Sequence, residues 1–195
     1  MKKTLLTLLF VVELFGAYCQ DYKEKIEQQF LEYTNFLIKK DFTKSVEYIN
    51  DDFFKILPKS QMIILIEKTY NNPDLDFKIE NPKVLRIDSI KRIGDQNYVK
   101  LQYSNILNMK FKESTSDTSD VDERELKKNL IIISLEKQFG TGNVKHNQLT
   151  GYYEIYSVKN VIANSKDTNS WKFVTVEEKQ KIILENFIPK ELLEK

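Results

Sequence analysis

The residues that most constrain this chain are 97–112, NYVKLQYSNILNMKFK. Val99, Leu101, Tyr103, Leu107, Met109 and Phe111 fall on one parity, and Lys100, Gln102, Ser104, Asn108, Lys110 and Lys112 on the other. Successive side chains of an extended chain point to opposite faces. The segment therefore predicts a long antiparallel strand with one apolar face and one wet face. Whatever else folds here must cover the apolar face. Asn105 shares parity with Tyr103 and Leu107 and interrupts that face. It reads as a β-bulge that would turn Ile106 inward, or as a polar group facing a cavity. A bent sheet needs a bulge, which favours the first reading.

The chain before this strand is helical in period. Ile26, Phe30, Tyr33, Phe36 and Leu37 make one stripe over residues 22–39. Asp41 can cap a shorter helix through Ile49, with Val46 and Ile49 inward. Phe53, Phe54, Ile56 and Leu57 read as an apolar linker. Pro58 suits the start of a helix over 59–70, and Asn71-Asn72-Pro73-Asp74 ends it. Residues 77–92 take strand composition, broken at Asn81-Pro82, where a missing N–H implies a bend, bulge or edge. Gly94-Asp95-Gln96 is a turn that would fold this strand onto 97–112 as a hairpin.

Beyond it, residues 113–120 (ESTSDTSD) read as a flexible polar loop. Residues 123–139 carry Leu126, Leu130, Ile133, Leu135 and Phe139 among charges and predict a helix. The run 129–135 (NLIIISL) leaves a strand open as the alternative. Residues 149–163 and 171–176 (WKFVTV) read as strands. A helix from Thr175 or Glu177 through Phe187, and a last turn after Pro189, close the chain. With 41% apolar and 30% charged residues and no internal repeat, residues 20–195 form one α+β domain. In it, helices pack on a curved antiparallel sheet, with one inserted helix and a C-terminal helix.

Residues 1–19 read as a signal peptide. Lys2 and Lys3 precede an apolar run over 5–12, and Ala17-x-Cys19 precedes Gln20. The run is too short to span a bilayer. Export to the periplasm or beyond is the expectation. A lipoprotein with Cys19 lipidated is the alternative, opposed by the bulky Tyr18 and testable at the mature N-terminus. The 30 basic residues less Lys2 and Lys3, and the 29 acidic less Glu13, leave 28 of each. A balanced surface does not attract nucleic acid, and a membrane would be met only through a lipidated Cys19. Cleavage after Cys19 would leave no cysteine, so neither disulfides nor thiolate chemistry is expected.

Few residue groups suggest chemistry. His146, the single histidine, reads as a solvated loop residue rather than a catalytic imidazole. Asp117, Asp120, Asp122, Glu123 and Glu125 crowd together, but they lack a calcium-loop spacing and suit a loop running into a helix start. No metal and no cofactor are expected. Nucleotide-binding and hydrolase motifs are absent. Tyr152, Glu154 and Tyr156 share one strand face, with Tyr153 and Ile155 on the other. They form either a polar-aromatic ligand face or ordinary cross-strand packing.

Three helical segments followed by long strands and a Trp-x-Phe strand resemble the nuclear-transport-factor-2-like, or cystatin-like cone, superfamily. The residues carrying the likeness are 30–37, 41–49 and 171–174. The tail WKFVTVEEKQKIILENFIPKELLEK is similar to the ends of small uncharacterised secreted bacterial proteins of that type. The resemblance implies a cone-like bent sheet with a cavity between the first helix and the concave face. Enzymatic members place an Asp, His or Tyr there, but none matches position by position, so no catalytic role carries over. The residues expected near a ligand are Tyr33, Phe54, Tyr103, Asn105, Tyr152, Glu154, Tyr156 and Trp171. The expectation is a non-enzymatic module binding a small ligand or a protein, a second copy of itself included. The alternatives are an isomerase-, dehydratase- or hydrolase-type enzyme using cavity carboxylates and tyrosines, or a structural envelope protein with a filled interior.

Overall fold

A computed structural model describes residues 21–112 and 121–194. The signal-peptide reading, Cys19 and the loop over 113–120 lie outside the described residues. The fold is α+β, with helices packed on a curved antiparallel sheet.

Helix α1 spans residues 21–38. Tyr22, Ile26 and Phe30 recur every fourth position, share one face and are buried. The helix stops at Lys40, which takes φ +59. There Asp41 N–H donates to the Phe36 carbonyl at 2.9 Å and Lys40 N–H to the Leu37 carbonyl at 3.1 Å. This is a Schellman end with lysine in the left-handed position that glycine usually fills. Asp41 then caps α2 (Phe42–Ser45), its carboxylate accepting from Lys44 N–H. That cap sits where the sequence puts it. The helix it starts is shorter than expected, passing into a 3-10 turn at Val46–Tyr48.

The expected apolar linker is a second 3-10 turn, Asp51–Lys55, because the Asn50 side chain accepts from Asp52 N–H at 2.8 Å and starts it. Helix α3 (Lys59–Tyr70) has the expected bounds.

The strands are β1 (Leu75–Ile87), β2 (Lys91–Ile93), β3 (Gln96–Phe111), β4 (Val144–His146), β5 (Tyr153–Ser165) and β6 (Lys172–Val176). The order β1-β3-β5-β4 is antiparallel throughout, with β2 extending β1's side along β3 and β6 extending β4's side along β5. Residues 94–95 turn β2 into β3, Gly94 supplying φ +62.

The bulge expected at Asn105 is not there. Strand β3 runs against β5 in one register from Asn97↔Ser165 to Met109↔Tyr153, with Asn105 opposite Ser157. The irregularities lie in β1, between Glu80 and Lys83 and between Val84 and Arg86. Pro82 has no N–H to give the ladder, and Asn81 takes φ +52 beside it. Because β1 is an outer strand, the same kinks blunt an edge that would otherwise invite pairing with another chain.

Helix α4 (Val121–Phe139) confirms the helical reading of 123–139 over the strand alternative. Strand β4 was not expected, since residues 144–148 read as a polar loop. The C-terminal helix is also shorter than expected. A 3-10 turn at Glu178–Gln180 leads into α5 (Lys181–Leu184), and α6 (Lys190–Leu193) follows Pro189.

Coverage of the sheet is uneven, and this positions the site. Odd-numbered residues of β3 and β5 face α1 at one end, where Val99, Leu101, Val161 and Ala163 pack with Ile26, Phe30, Trp171 and Phe173. The same face meets α4 at the other end, where Tyr153, Ile155 and Val144 pack with Leu135. On the opposite face Tyr98, Ile162 and Val174 are covered by Leu184, Ile188, Leu192 and Leu193. No helix among the described residues lines the rest of that face. The burial of β5 records the change. It alternates from Tyr153 to Asn160 and becomes continuous over Val161, Ile162 and Ala163.

Candidate functional site

The uncovered part of this face is a groove of about 570 Å³. Even-numbered positions of three neighbouring strands build it: Lys78 and Glu80 from β1, Ile106 and Asn108 from β3, Glu154 and Tyr156 from β5. Cross-strand pairing sets these side by side, Lys78↔Asn108↔Glu154 in one row and Glu80↔Ile106↔Tyr156 in the next. Lys145, Asn143, Asn81, Thr150 and Tyr152 form its rim.

Tyr152 is held from several sides. Its O–H donates to an Asp76 carboxylate oxygen, and Lys78 Nζ donates to the phenol oxygen at 2.7 Å. The Lys78 ammonium lies 4.7 Å from the ring centre and that of Lys110 5.8 Å. Lys110 is itself tied to the Thr150 carbonyl at 2.9 Å, and its chain passes Gly151, where an added Cβ would lie 3.2 Å from it. The hydrogen bond to Tyr152 also raises the pKa of Lys78 above its ordinary value. Glu154 accepts from Asn147 Nδ2 at 2.8 Å, which fixes its carboxylate. Tyr156 differs from both. It is 43% exposed, and no hydrogen bond of its hydroxyl and no ring contact is found among the described residues.

The eight residues expected near a ligand divide into separate groups. Tyr152, Glu154 and Tyr156 meet in the groove, with Tyr153 and Ile155 buried on the far side as their parity requires. Tyr33, Tyr103 and Trp171 lie on the other side of the sheet and fill the space under α1. There Phe30 packs edge-on to Tyr103 at 4.7 Å and to Phe173 at 5.2 Å. Phe54 is on the Asp51–Lys55 turn beneath the Lys59 ammonium, away from both. Asn105 is buried on the helix-covered face.

The sequence reading missed the β1 contribution, Asp76, Lys78 and Glu80. The signal was present, since these alternate with Phe77 and Ile79. His146 also needs correcting. It is a half-buried residue of β4 whose ring stands 4.7 Å from that of Tyr153, with Nδ1 buried and unbonded. Among the described residues no three His, Cys, Asp or Glu side chains come together to hold a metal. None of the described helices is long and apolar enough to cross a membrane.

The interior tyrosines make a titration prediction. Burial pushes the Tyr33 phenol up to about 12, and it also raises Tyr70 and Tyr103, each further disfavoured by its tyrosine neighbours. In the unfolded chain each ionises near 10. Above that pH the unfolded state loses protons that the native state keeps, so stability falls as pH rises. The urea midpoint is expected to hold steady to about pH 9 and to drop steeply from about pH 10. Replacing both Tyr33 and Tyr103 with Phe should flatten that drop. An unchanged slope would show that these phenols reach solvent.

Comparison with known protein families, with curated proteins and with solved structures returned no match. The class the structure defines is therefore architectural: an α+β protein with a curved antiparallel sheet, part of one face of which no described helix covers.

Proposed function

We propose that this chain is a non-enzymatic binding module of an exported protein. Its ligand site is the bare groove, and its ligand is a neutral, hydroxyl-rich molecule of saccharide type. The observation that carries the reading is Tyr156, an exposed ring in a polar groove beside the hydrogen-bonded Tyr152 and Glu154. A sugar ring offers C–H groups to an aromatic face and hydroxyls to amides, carboxylates and ammonium groups. Tyr156, Asn108, Glu154 and Lys145 supply those four kinds of partner. Lys78 and Lys145 balance Glu80 and Glu154, so the lining selects neither anions nor cations strongly. The volume lies within the roughly 300–1,000 Å³ usual for ligand clefts. Pinning Tyr152 and Glu154 before a ligand arrives reduces the ordering cost of binding.

The test is an NMR shift titration of the protein with a panel of short oligosaccharides. Shifts should concentrate on the amides of β1 and β5 around Lys78 and Tyr156. Tyr156→Ala, at an exposed position, should keep the fold and weaken binding about tenfold or more. Absence of shifts at millimolar sugar, or binding unchanged in Tyr156→Ala, would sink the proposal. The filled space under α1 supports a second reading, a structural envelope protein without a ligand, and a silent titration would leave that one standing.

A further inference from the structure

Helix α4 has two apolar faces, and only one is used. Ile131, Ile132, Leu135 and Phe139 pack toward the sheet with Val144, Tyr153 and Ile155. On the opposite side Leu126, Leu130 and Ile133 are each more than half exposed. With Glu123 before them and Lys137 after, the exposed row reads 123, 126, 130, 133, 137. That is a 3-4-3-4 spacing, the spacing by which one helix presents a straight seam to another.

The charges say what covers the seam. Glu123 and Lys137 stand at its two ends, and neither forms an ion pair among the described residues, whereas Glu125 on the flank is paired with Lys128 at 3.8 Å. A second α4 laid parallel would set glutamate against glutamate and lysine against lysine. Laid antiparallel about a two-fold axis at Leu130, midway between the two, it sets Glu123 of each copy beside Lys137 of the other. The helix dipoles then oppose as well. The seam is therefore complementary to itself, as a two-fold interface requires.

We propose that the chain forms a two-fold homodimer through antiparallel α4 helices, with Leu126, Leu130 and Ile133 at its centre and Glu123–Lys137 pairs at its ends. The interface is small, so association is in the micromolar range rather than tighter. It lies on the face of the sheet opposite the groove and does not depend on what the groove binds.

The experiment is sedimentation velocity of the full chain over a concentration series at low and moderate salt. The expected result is reversible exchange between a monomer and a species of twice its mass. Glu123→Lys and Lys137→Glu each place like charges at both ends and should weaken the dimer roughly tenfold. The double variant exchanges the two charges and should restore it. Leu130→Glu, at an exposed position, should give monomer with an unchanged circular dichroism spectrum. A monomer at all concentrations overturns the proposal. So does a dimer indifferent to Leu130→Glu, or one weakened by the single charge reversals and not restored by the double.

Discussion

Trp171→Ala should cost about 3–5 kcal/mol of stability. That is a large part of the roughly 5–15 kcal/mol that holds an ordinary domain together. The indole is 1% exposed and sits where α1, β5 and β6 meet, against Ile26, Phe30 and Phe173. Its removal leaves a cavity that surrounding strands cannot close. It also strands the Thr168 carbonyl, which accepts from Trp171 Nε1 at 3.1 Å. Tm should fall by about 10 °C. Trp171→Phe, which keeps much of the ring but not the donor, should fall in between. A variant as stable as the parent would show that the junction is held elsewhere, and the natural place is the Gln29 side chain. Gln29 ties α1 to this loop by accepting from Trp171 N–H at 2.8 Å and donating to the Asn169 carbonyl at 2.7 Å.

Asn105→Asp is expected to be the second costly change, and a pH-dependent one. Asn105 is 5% exposed, and its Oδ1 has no hydrogen-bond partner; nor does Oγ of Ser157, the residue opposite it, which is 2% exposed. A carboxylate there would be desolvated, and Lys159, the diagonal neighbour on β5, is already paired with Glu177, so the cost is about 3 kcal/mol or more at neutral pH. Burial would raise the native-state pKa of the new carboxyl above its unfolded value of about 3.9. Between those two values the native state holds a proton that the unfolded state has lost. Stability therefore falls as pH rises through that window and recovers below about pH 4. Asn105→Leu removes the orphaned oxygen and should be neutral, or stabilising by about 1 kcal/mol. Urea midpoints of both variants from pH 4 to 8 make the measurement. If Asp and Leu behave alike and neither depends on pH, water reaches the site.

Much of the fold was legible because it is local. The parity of Val99, Leu101 and Tyr103 set which face of β3 meets α1, although the face expected to be wet is buried too at Tyr98 and Ser104. The bounds of α3 followed from Pro58 and from the turn after Tyr70, and the cap at Asp41 from its own side chain. The errors occurred where a distant contact decides. Strand β4 has only three residues and exists because β5 offers Glu154 and its neighbours an edge. The irregularity expected at Pro82, which cannot pair, is there, whereas Asn105 breaks the apolar face without a bulge because its partner Ser157 keeps it in register. The groove was half legible. The common face of Tyr152, Glu154 and Tyr156 follows from alternation. That this face would be bare there and covered at Ile162 depends on where Leu184, Ile188 and Leu192 come to rest, and no local pattern encodes that.

The unbroken β3–β5 register has a consequence for how the chain reaches this state. Strands β2 and β3 can zip from the Gly94 turn as soon as it forms, and β1 can follow across the bend after Ile87. Strand β5 has no such turn. Its nearest pair, Met109↔Tyr153, closes only after the whole of α4 and β4 has been accommodated between them. Loop closure on that scale comes late and slowly. An intermediate with β1–β3 formed and the other edge of β3 open, Val99 and Leu101 uncovered, is therefore expected during refolding. Amides of β1 and β3 should gain exchange protection before those of β5 and β6. Crowding in that interval favours intermolecular pairing on the same edge, so refolding yield should fall as protein concentration rises.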